Sequence, residues 1–365
     1  MKFYVTTPAG IEDIACKEIE KLGGKVVEVR ENRGRVFFEG GEDLIPKVNF
    51  FSRCSERVIL LLHKGRFNKL DDIYTEMKEI DYYLLEGKTF AIRSSRIGNH
   101  DFTSIDVSRY AGQAVIDSFL DRYGERLKVN LDEPEVIIRV DVINDEFLVG
   151  IDTTGDRALH KRWWRVYNHP AHLNCAIACA MLKLAKWKKG KNLVDPMCGS
   201  GTIPIEGALT EREVPAGKNR DFAYFRIIGK VIPAYKEEDI HLDIYGIEKF
   251  EKHLRGAIEN AKSAGVDDTI QFAIGDATKL KGSYDCIVTN PPYGLRIGSK
   301  RLIGRLYEKF IPRIKDCMHD DSKAVIITTE IDLLKRIVGE SKLSILHERT
   351  VRYGGLQAKI FVLAL

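Results

Sequence analysis

Asn290-Pro291-Pro292-Tyr293 combines residue types that suit one particular chemistry. Two consecutive prolines fix φ and remove two backbone donors, so the loop can present acceptors without competing N–H groups. The Asn290 side-chain oxygen and the Pro291 carbonyl can both accept from a single NH2 group. Two such bonds would hold the nitrogen, favour a pyramidal geometry and aim its lone pair at an electrophile. Tyr293 can stack on the plane of a base, worth roughly 1–3 kcal/mol for an exposed base. Asn290 cannot act as a base, so an in-line transfer would rest on positioning, and the proton would leave to water after attack. A structural Asn-Pro turn is the plain alternative.

Three further segments favour the chemical reading. Asn192-Leu193-Val194-Asp195-Pro196-Met197-Cys198-Gly199-Ser200-Gly201-Thr202 has the pattern of strand, tight glycine turn and helix. Gly199 and Gly201 let the backbone pass close to a ligand that a Cβ would obstruct, and the amides of the following helix start can receive a carboxylate. Asp195, just before the turn, suits a cationic ligand better than a pyrophosphate. S-adenosylmethionine has both features, a carboxylate and an ammonium near a sulfonium, and Met197, Cys198 and Thr202 share the turn that would hold it. Next, Tyr245-Gly246-Ile247-Glu248 offers a carboxylate to a ribose diol, and Gly275-Asp276-Ala277 offers one to an adenine amino group. A Gly-x-Gly alone is weak evidence. Glycine loop, ribose acid, adenine acid and Asn-Pro-Pro-Tyr in order at four successive strand ends is a different matter.

Those strand ends require a particular scaffold. Segments 192–195, 243–248, 269–275, 286–290 and 324–329 read as strands separated by helices, the rhythm of an α/β doubly wound parallel sheet of Rossmann type. Two β-rich stretches, 342–353 and 356–363, close the chain around Gly354-Gly355. The first half reads as α+β. Strands are expected at 2–6, 25–30, 35–39, 57–63, 89–94, 135–142 and 146–151, with helices after Pro8, over 71–80 and over 104–122. In the last of these, Ile105, Ser108, Gly112, Val115, Ile116 and Phe119 fall on one stripe.

Hydrophobic residues make up 44% and charged residues 30%, the balance of a globular and not a disordered chain. The longest aliphatic run, Val58 to Leu62, is too short to cross a bilayer. The start lacks the apolar run of a signal peptide, so a cytoplasmic location without membrane contact is expected. Seven scattered cysteines include no Cys-x-x-Cys pair, which argues against zinc ribbons and thioredoxin-like sites; no metal is expected. Cys175 and Cys179 share a helix face and read as small buried residues. Residues 1–170 hold 26 Lys+Arg against 29 Asp+Glu, a net of −3, while 171–365 hold 31 against 24, a net of +7. Basic residues cluster at Lys183, Lys186, Lys188, Lys189 and Lys191, and at Arg296, Lys300, Arg301 and Arg305. Arg157 to Arg165 interleaves cations with Trp163 and Trp164. Such clusters suit a nucleic-acid partner, with a solvated helix face as the bland alternative.

The segments 195–206 and 290–296 together resemble the RNA guanine-N2 methyltransferases that carry an N-terminal THUMP domain, and most of all the archaeal members acting at position 6 of tRNA. Residues 90–100 and the helix after them are similar to a THUMP core. The resemblance spans nearly the whole chain and implies four parts: a ferredoxin-like domain (1–60), a THUMP RNA-binding domain (61–153), a linker (154–168) and a class I methyltransferase domain (169–365). It implies that Asp195, Gly199 and Gly201 surround the methionine part of S-adenosylmethionine, Glu248 the ribose, and Asp276 and Ala277 the adenine. Asn290 to Tyr293 would take the target amine, with Asn290 also in contact with the cofactor. Pro170 and Leu173 would supply extra cofactor contacts, although His172-Leu173-Asn174 departs from the commoner Pro-Leu-Lys form. Arg93, Arg96, Arg162, Arg165, Tyr293 and Arg296 are the expected contacts to tRNA, and a monomer is expected. The role of 212–242 is open. The alternative substrates are guanine N2 in rRNA and adenine N6 in DNA, and the alternative to an enzyme is an RNA-binding module with a degenerate domain.

Overall fold

A computed structural model describes residues 1–293 and 300–365. The first half comprises β1 (Lys2–Thr6), α1 (Glu12–Lys21), β2 (Lys25–Arg30), β3 (Arg35–Glu39), α2 (Leu44–Phe51), β4 (Arg57–Arg66), α3 (Leu70–Lys78), β5 (Thr89–Ile97), α4 (Ser104–Tyr123), β6 (Lys128–Val129), β7 (Val136–Ile143) and β8 (Glu146–Asp152). These eight strands form one mixed sheet in the order β2-β3-β1-β4-β8-β7-β5-β6. The boundary expected at residue 60 falls inside β4, which pairs with β1 on one side and β8 on the other, so the two front domains share a sheet.

Local chemistry explains where the helices start. α1 begins at Glu12, four residues after Pro8, because the Glu12 carboxylate accepts from the amides of Gly10 and Gly34 and closes the preceding turn. α4 is capped by a Thr103–Asp106 box and ended by Gly124 in the left-handed region. Its buried stripe runs through Val107, Ala111, Ala114, Val115 and Phe119, whereas Ile105, expected on that stripe, is 79% exposed. Ile105 lies in the first turn, about half a turn around the helix from that stripe.

The second half comprises α5 (Cys175–Leu184), β9 (Asn192–Asp195), α6 (Thr202–Glu211), α7 (Tyr224–Ile227), β10 (Asp243–Glu248), α8 (Glu251–Ala264), β11 (Ile270–Ile274), β12 (Cys286–Thr289), α9 (Lys300–Asp316), β13 (Lys323–Thr328), α10 (Ile331–Glu340), β14 (Ser344–Tyr353) and β15 (Leu356–Ala364). The sheet order is β11-β10-β9-β12-β13-β15-β14, with β15 antiparallel to β13. Strand order reverses between β9 and β12, which places a ligand crevice at their carboxyl ends.

The halves are joined at several points. One apolar core runs from Phe3 and Val58 through Trp164 to Leu193 and Val288. The insertion 212–242 packs back on the front half: Gly217 N donates to Phe50 O, and Tyr224 N to Thr153 O. Near the C-terminus, Arg349 pairs with Asp13 at 2.7 Å and the Arg352 amide donates to Ala9 O. Among the described residues no helix is long and apolar enough to cross a membrane.

Candidate active site

Asp195 ends β9 and is 1% exposed. Its Oδ1 accepts from the Thr289 hydroxyl at 2.8 Å and from Met197 N at 3.1 Å, which ties the ends of β9 and β12 together across the switch point. Burial pushes its pKa up to about 7. The chain then turns through Gly199 (φ 54°) and Gly201 (φ 78°), both in the left-handed region. A Cβ on Gly199 would have nothing nearer than the His169 ring at 3.8 Å, so the space above this residue is open to a ligand.

Glu248 ends β10 and accepts from Gly199 N at 3.0 Å and from Phe250 N at 2.9 Å, so this carboxylate fixes the glycine loop. Asp276 follows β11. The Thr278 hydroxyl, its amide and the Lys249 ammonium hold the Asp276 carboxyl below the usual carboxylate range. After β12 come half-buried Asn290, buried Pro291, and half-buried Pro292 and Tyr293, with the Tyr293 hydroxyl donating to Asn290 Oδ1.

These groups line one cavity of about 1570 Å³ together with Leu173, Met197, Cys198, Thr202 and Ala277. Its far wall is built by the front half, including Thr7, Pro8 and Glu56. Gly201 and Pro170 do not line it.

The basic residues are placed differently from the sequence expectation. Arg162 is 1% exposed and donates to Glu206 Oε1 at 2.8 Å, so it is a buried partner of a carboxylate and no tRNA contact. Arg165 is half-buried on the glycine-loop side of the cavity, where it donates to Thr202 Oγ1 and Cys175 Sγ. Arg93 donates to Leu131 O, and Arg96 is exposed beside His100; neither lines the cavity. Arg296 lies outside the described residues. Lys183, from the first basic cluster, is paired with Glu18 of α1. Trp164 is fully buried and Trp163 half-buried, so the Trp164 ring offers no free stacking surface.

Sequence reasoning missed Asn260. It is fully buried on α8, accepts from Val166 N and Tyr167 N at 2.9 and 2.8 Å, and donates to Tyr167 O and Ser200 O at 3.1 and 3.0 Å. One side chain thus fixes the pre-strand segment to the glycine loop. A polar residue on the apolar stripe of Leu254, Ala257, Ala261 and Ala264 was the available signal. His169 and His253 were also missed; their rings meet edge to face at 4.2 Å beside the cavity. Burial, His253 and His172 lower the His169 pKa to about 4, so its imidazole is neutral at physiological pH.

The residues present fit S-adenosylmethionine: open space over Gly199, a buried carboxylate at Asp195, and acids at the ends of β10 and β11 in the order that methionine, ribose and adenine require.

Comparison with known proteins agrees with this arrangement. Residues 162–359 match the RMKL-like methyltransferase domain, residues 2–59 the RlmL ferredoxin-like domain and residues 67–152 the THUMP domain. The chain is 56% identical over 362 residues to a tRNA (guanine(6)-N2)-methyltransferase of Archaeoglobus fulgidus, covering 99% of this chain and 92% of that protein. It is 48% identical over 381 residues to the protein of the same description from Methanocaldococcus jannaschii, covering 100% of both. Among solved structures, a possible methylase from Clostridium difficile 630 superposes with a TM-score of 0.87 at 29% identity, over 99% of this chain and 97% of that one.

Proposed function

The chain belongs to the RMKL-like methyltransferase family, in the branch of the tRNA (guanine(6)-N2)-methyltransferases, and from that premise we infer that it methylates the exocyclic N2 of a guanosine in tRNA, at position 6 of the acceptor stem. S-adenosylmethionine is the donor, and when bound it supplies an electrophilic methyl group on a sulfonium. The observation that carries this reading is the placement of Asn290-Pro291-Pro292-Tyr293 in the same cavity as Asp195, Glu248 and Asp276.

In the mechanism we propose, Asp195 faces the donor's ammonium, Glu248 the ribose hydroxyls, and Asp276 with Ala277 the adenine edge. Asn290 Oδ1 and the Pro291 carbonyl accept from the guanine amino group and orient its lone pair. Tyr293 stacks on the base while its hydroxyl holds the Asn290 side chain. No side chain needs to remove the proton before attack, because the nitrogen becomes strongly acidic once methylated. A guanine paired in a stem must leave its helix to reach this loop. Arg93 and Arg96 are proposed to meet tRNA from the front half, and Arg296 near the target base. We further propose that the enzyme works as a cytoplasmic monomer, since a single chain encloses the cavity.

Incubation with labelled S-adenosylmethionine and unmodified transcripts of tRNA, rRNA fragments and duplex DNA, followed by nucleoside analysis, tests the reading. N2-methylguanosine in tRNA alone is expected. Label in rRNA, or as N6-methyladenine in DNA, would overturn the substrate.

A further inference from the structure

The strand ends present three carboxylates to the donor: Asp195, Glu248 and Asp276. These suit its ammonium, ribose and adenine but repel its own α-carboxylate, so a cation beside the α6 amides would favour that group. Several Lys and Arg side chains line the cavity, and two already have a carboxylate. Arg162 is committed to Glu206 and Lys249 to Asp276. Lys161 is exposed, and Arg157 and Arg352 stand on the wall made with the front half, where Arg157 donates to Arg162 O and the Arg352 amide pairs with Ala9.

Arg165 differs in both place and partners. Its guanidinium lies within 3.4 Å of Ser200 Oγ and 3.1 Å of Thr202 Oγ1, at the glycine loop and the first residue of α6. It also donates to Leu173 O at 3.3 Å and Cys175 Sγ at 3.0 Å. It sits 5.0 Å from the centroid of the buried Trp164 ring, which limits its hydration. All of its hydrogen-bond acceptors are neutral, and among the described residues it meets no carboxylate. A half-buried guanidinium with neutral partners only, lining a ligand cavity beside a helix start, suits an anionic group. A planar guanidinium also matches a carboxylate better than an ammonium does.

Resting on the reading of this cavity as the donor site, we propose that Arg165 binds the α-carboxylate of the methyl donor and sets the enzyme's preference for a donor that carries one. Arg165 is therefore assigned to the cofactor and not to tRNA. Its hold on Leu173 O and Thr202 Oγ1 would bring the pre-strand segment and the glycine loop around that carboxylate.

Calorimetric titration with S-adenosylhomocysteine and with its decarboxylated analogue separates this role from that of a strut. The wild-type protein is expected to bind the carboxylate-bearing ligand about 10- to 100-fold more tightly. Arg165→Gln should lose most of that preference while binding the decarboxylated analogue as the wild type does. If Arg165→Gln fails to fold, Arg165→Lys carries the same test, with a preference reduced but not abolished. A variant that keeps the full preference, or that weakens both ligands equally, would overturn the proposal and leave the cofactor reading intact. A wild-type protein that binds neither ligand would overturn both.

Discussion

Asn290 and Asp195 stand at the ends of adjacent strands, and the hydrogen bond from Thr289 to Asp195 links them through the backbone. Their tasks are separable. In the proposed mechanism Asn290 acts on the target amine, so Asn290→Ala should lower kcat by about 10²- to 10³-fold, the scale for losing one preorganised polar group. Its Kd for S-adenosylhomocysteine should stay within about twofold of wild type, as calorimetry would read. Normal turnover in that variant would remove the acceptor role. Asp195 acts on the donor and on stability. With its folded-state pKa raised to about 7, above the unfolded carboxylate value, folding takes up a proton there. In the ligand-free protein this group's contribution to stability should therefore be full below the unfolded carboxylate pKa and be lost as pH rises from there through about 7. Thermal melts between pH 5 and 8 should show this slope, and Asp195→Asn should flatten it while weakening donor binding. An unchanged slope in the variant would assign the titration to another group.

At the scale of elements, the positioning of the glycine loop depends on α8 as much as on β9. Asn260 satisfies two amides and two carbonyls of the 166–167 and 200 segments from a fully buried position. Asn260→Ala leaves those groups without partners, at a cost of about 1–3 kcal/mol. Urea unfolding should register the loss, and donor affinity should fall with it because both sides of the loop are released. This contact also marks how far sequence alone could reach. The glycine loop, the acids and the Asn-Pro-Pro-Tyr turn were legible because each occupies a strand end, and strand ends follow from short apolar runs and punctuating glycines. Asn260 was hidden because its partners are about 60 and 94 positions away, and no local pattern encodes such a distance. The same limit applied to Arg162 and Arg165. As letters they belonged to one basic, aromatic stretch, yet three residues of spacing sent one into a buried ion pair and the other onto the donor loop.

At the scale of the whole molecule, a buried ionic cluster fixes the front half to the donor loop. Glu206 on α6 is fully buried and receives Arg162 at 2.8 Å, Arg53 of the front half at 3.4 Å and the Cys179 thiol of α5 at 2.9 Å. Burial alone would raise the Glu206 pKa, but the guanidiniums of Arg162 and Arg53 outweigh it and hold the carboxyl below its ordinary range. Arg53 also donates to Leu209 O and Val214 O, so it grips both α6 and the start of the insertion. Because α6 begins at Thr202, directly after the glycine loop, any shift of the front half is transmitted to the donor site through this helix. Glu206→Gln keeps the shape but leaves two buried guanidiniums without their counter-charge, which should cost about 3–5 kcal/mol. Denaturant unfolding would measure that loss. The same variant separates the roles of the two halves: the proposed donor contacts lie within the second half, whereas the proposed tRNA contacts Arg93 and Arg96 lie in the first. KM for tRNA should therefore rise more than Kd for S-adenosylhomocysteine, and equal changes in the two would mean that the cluster stabilises the fold without setting the angle at which tRNA meets the active site.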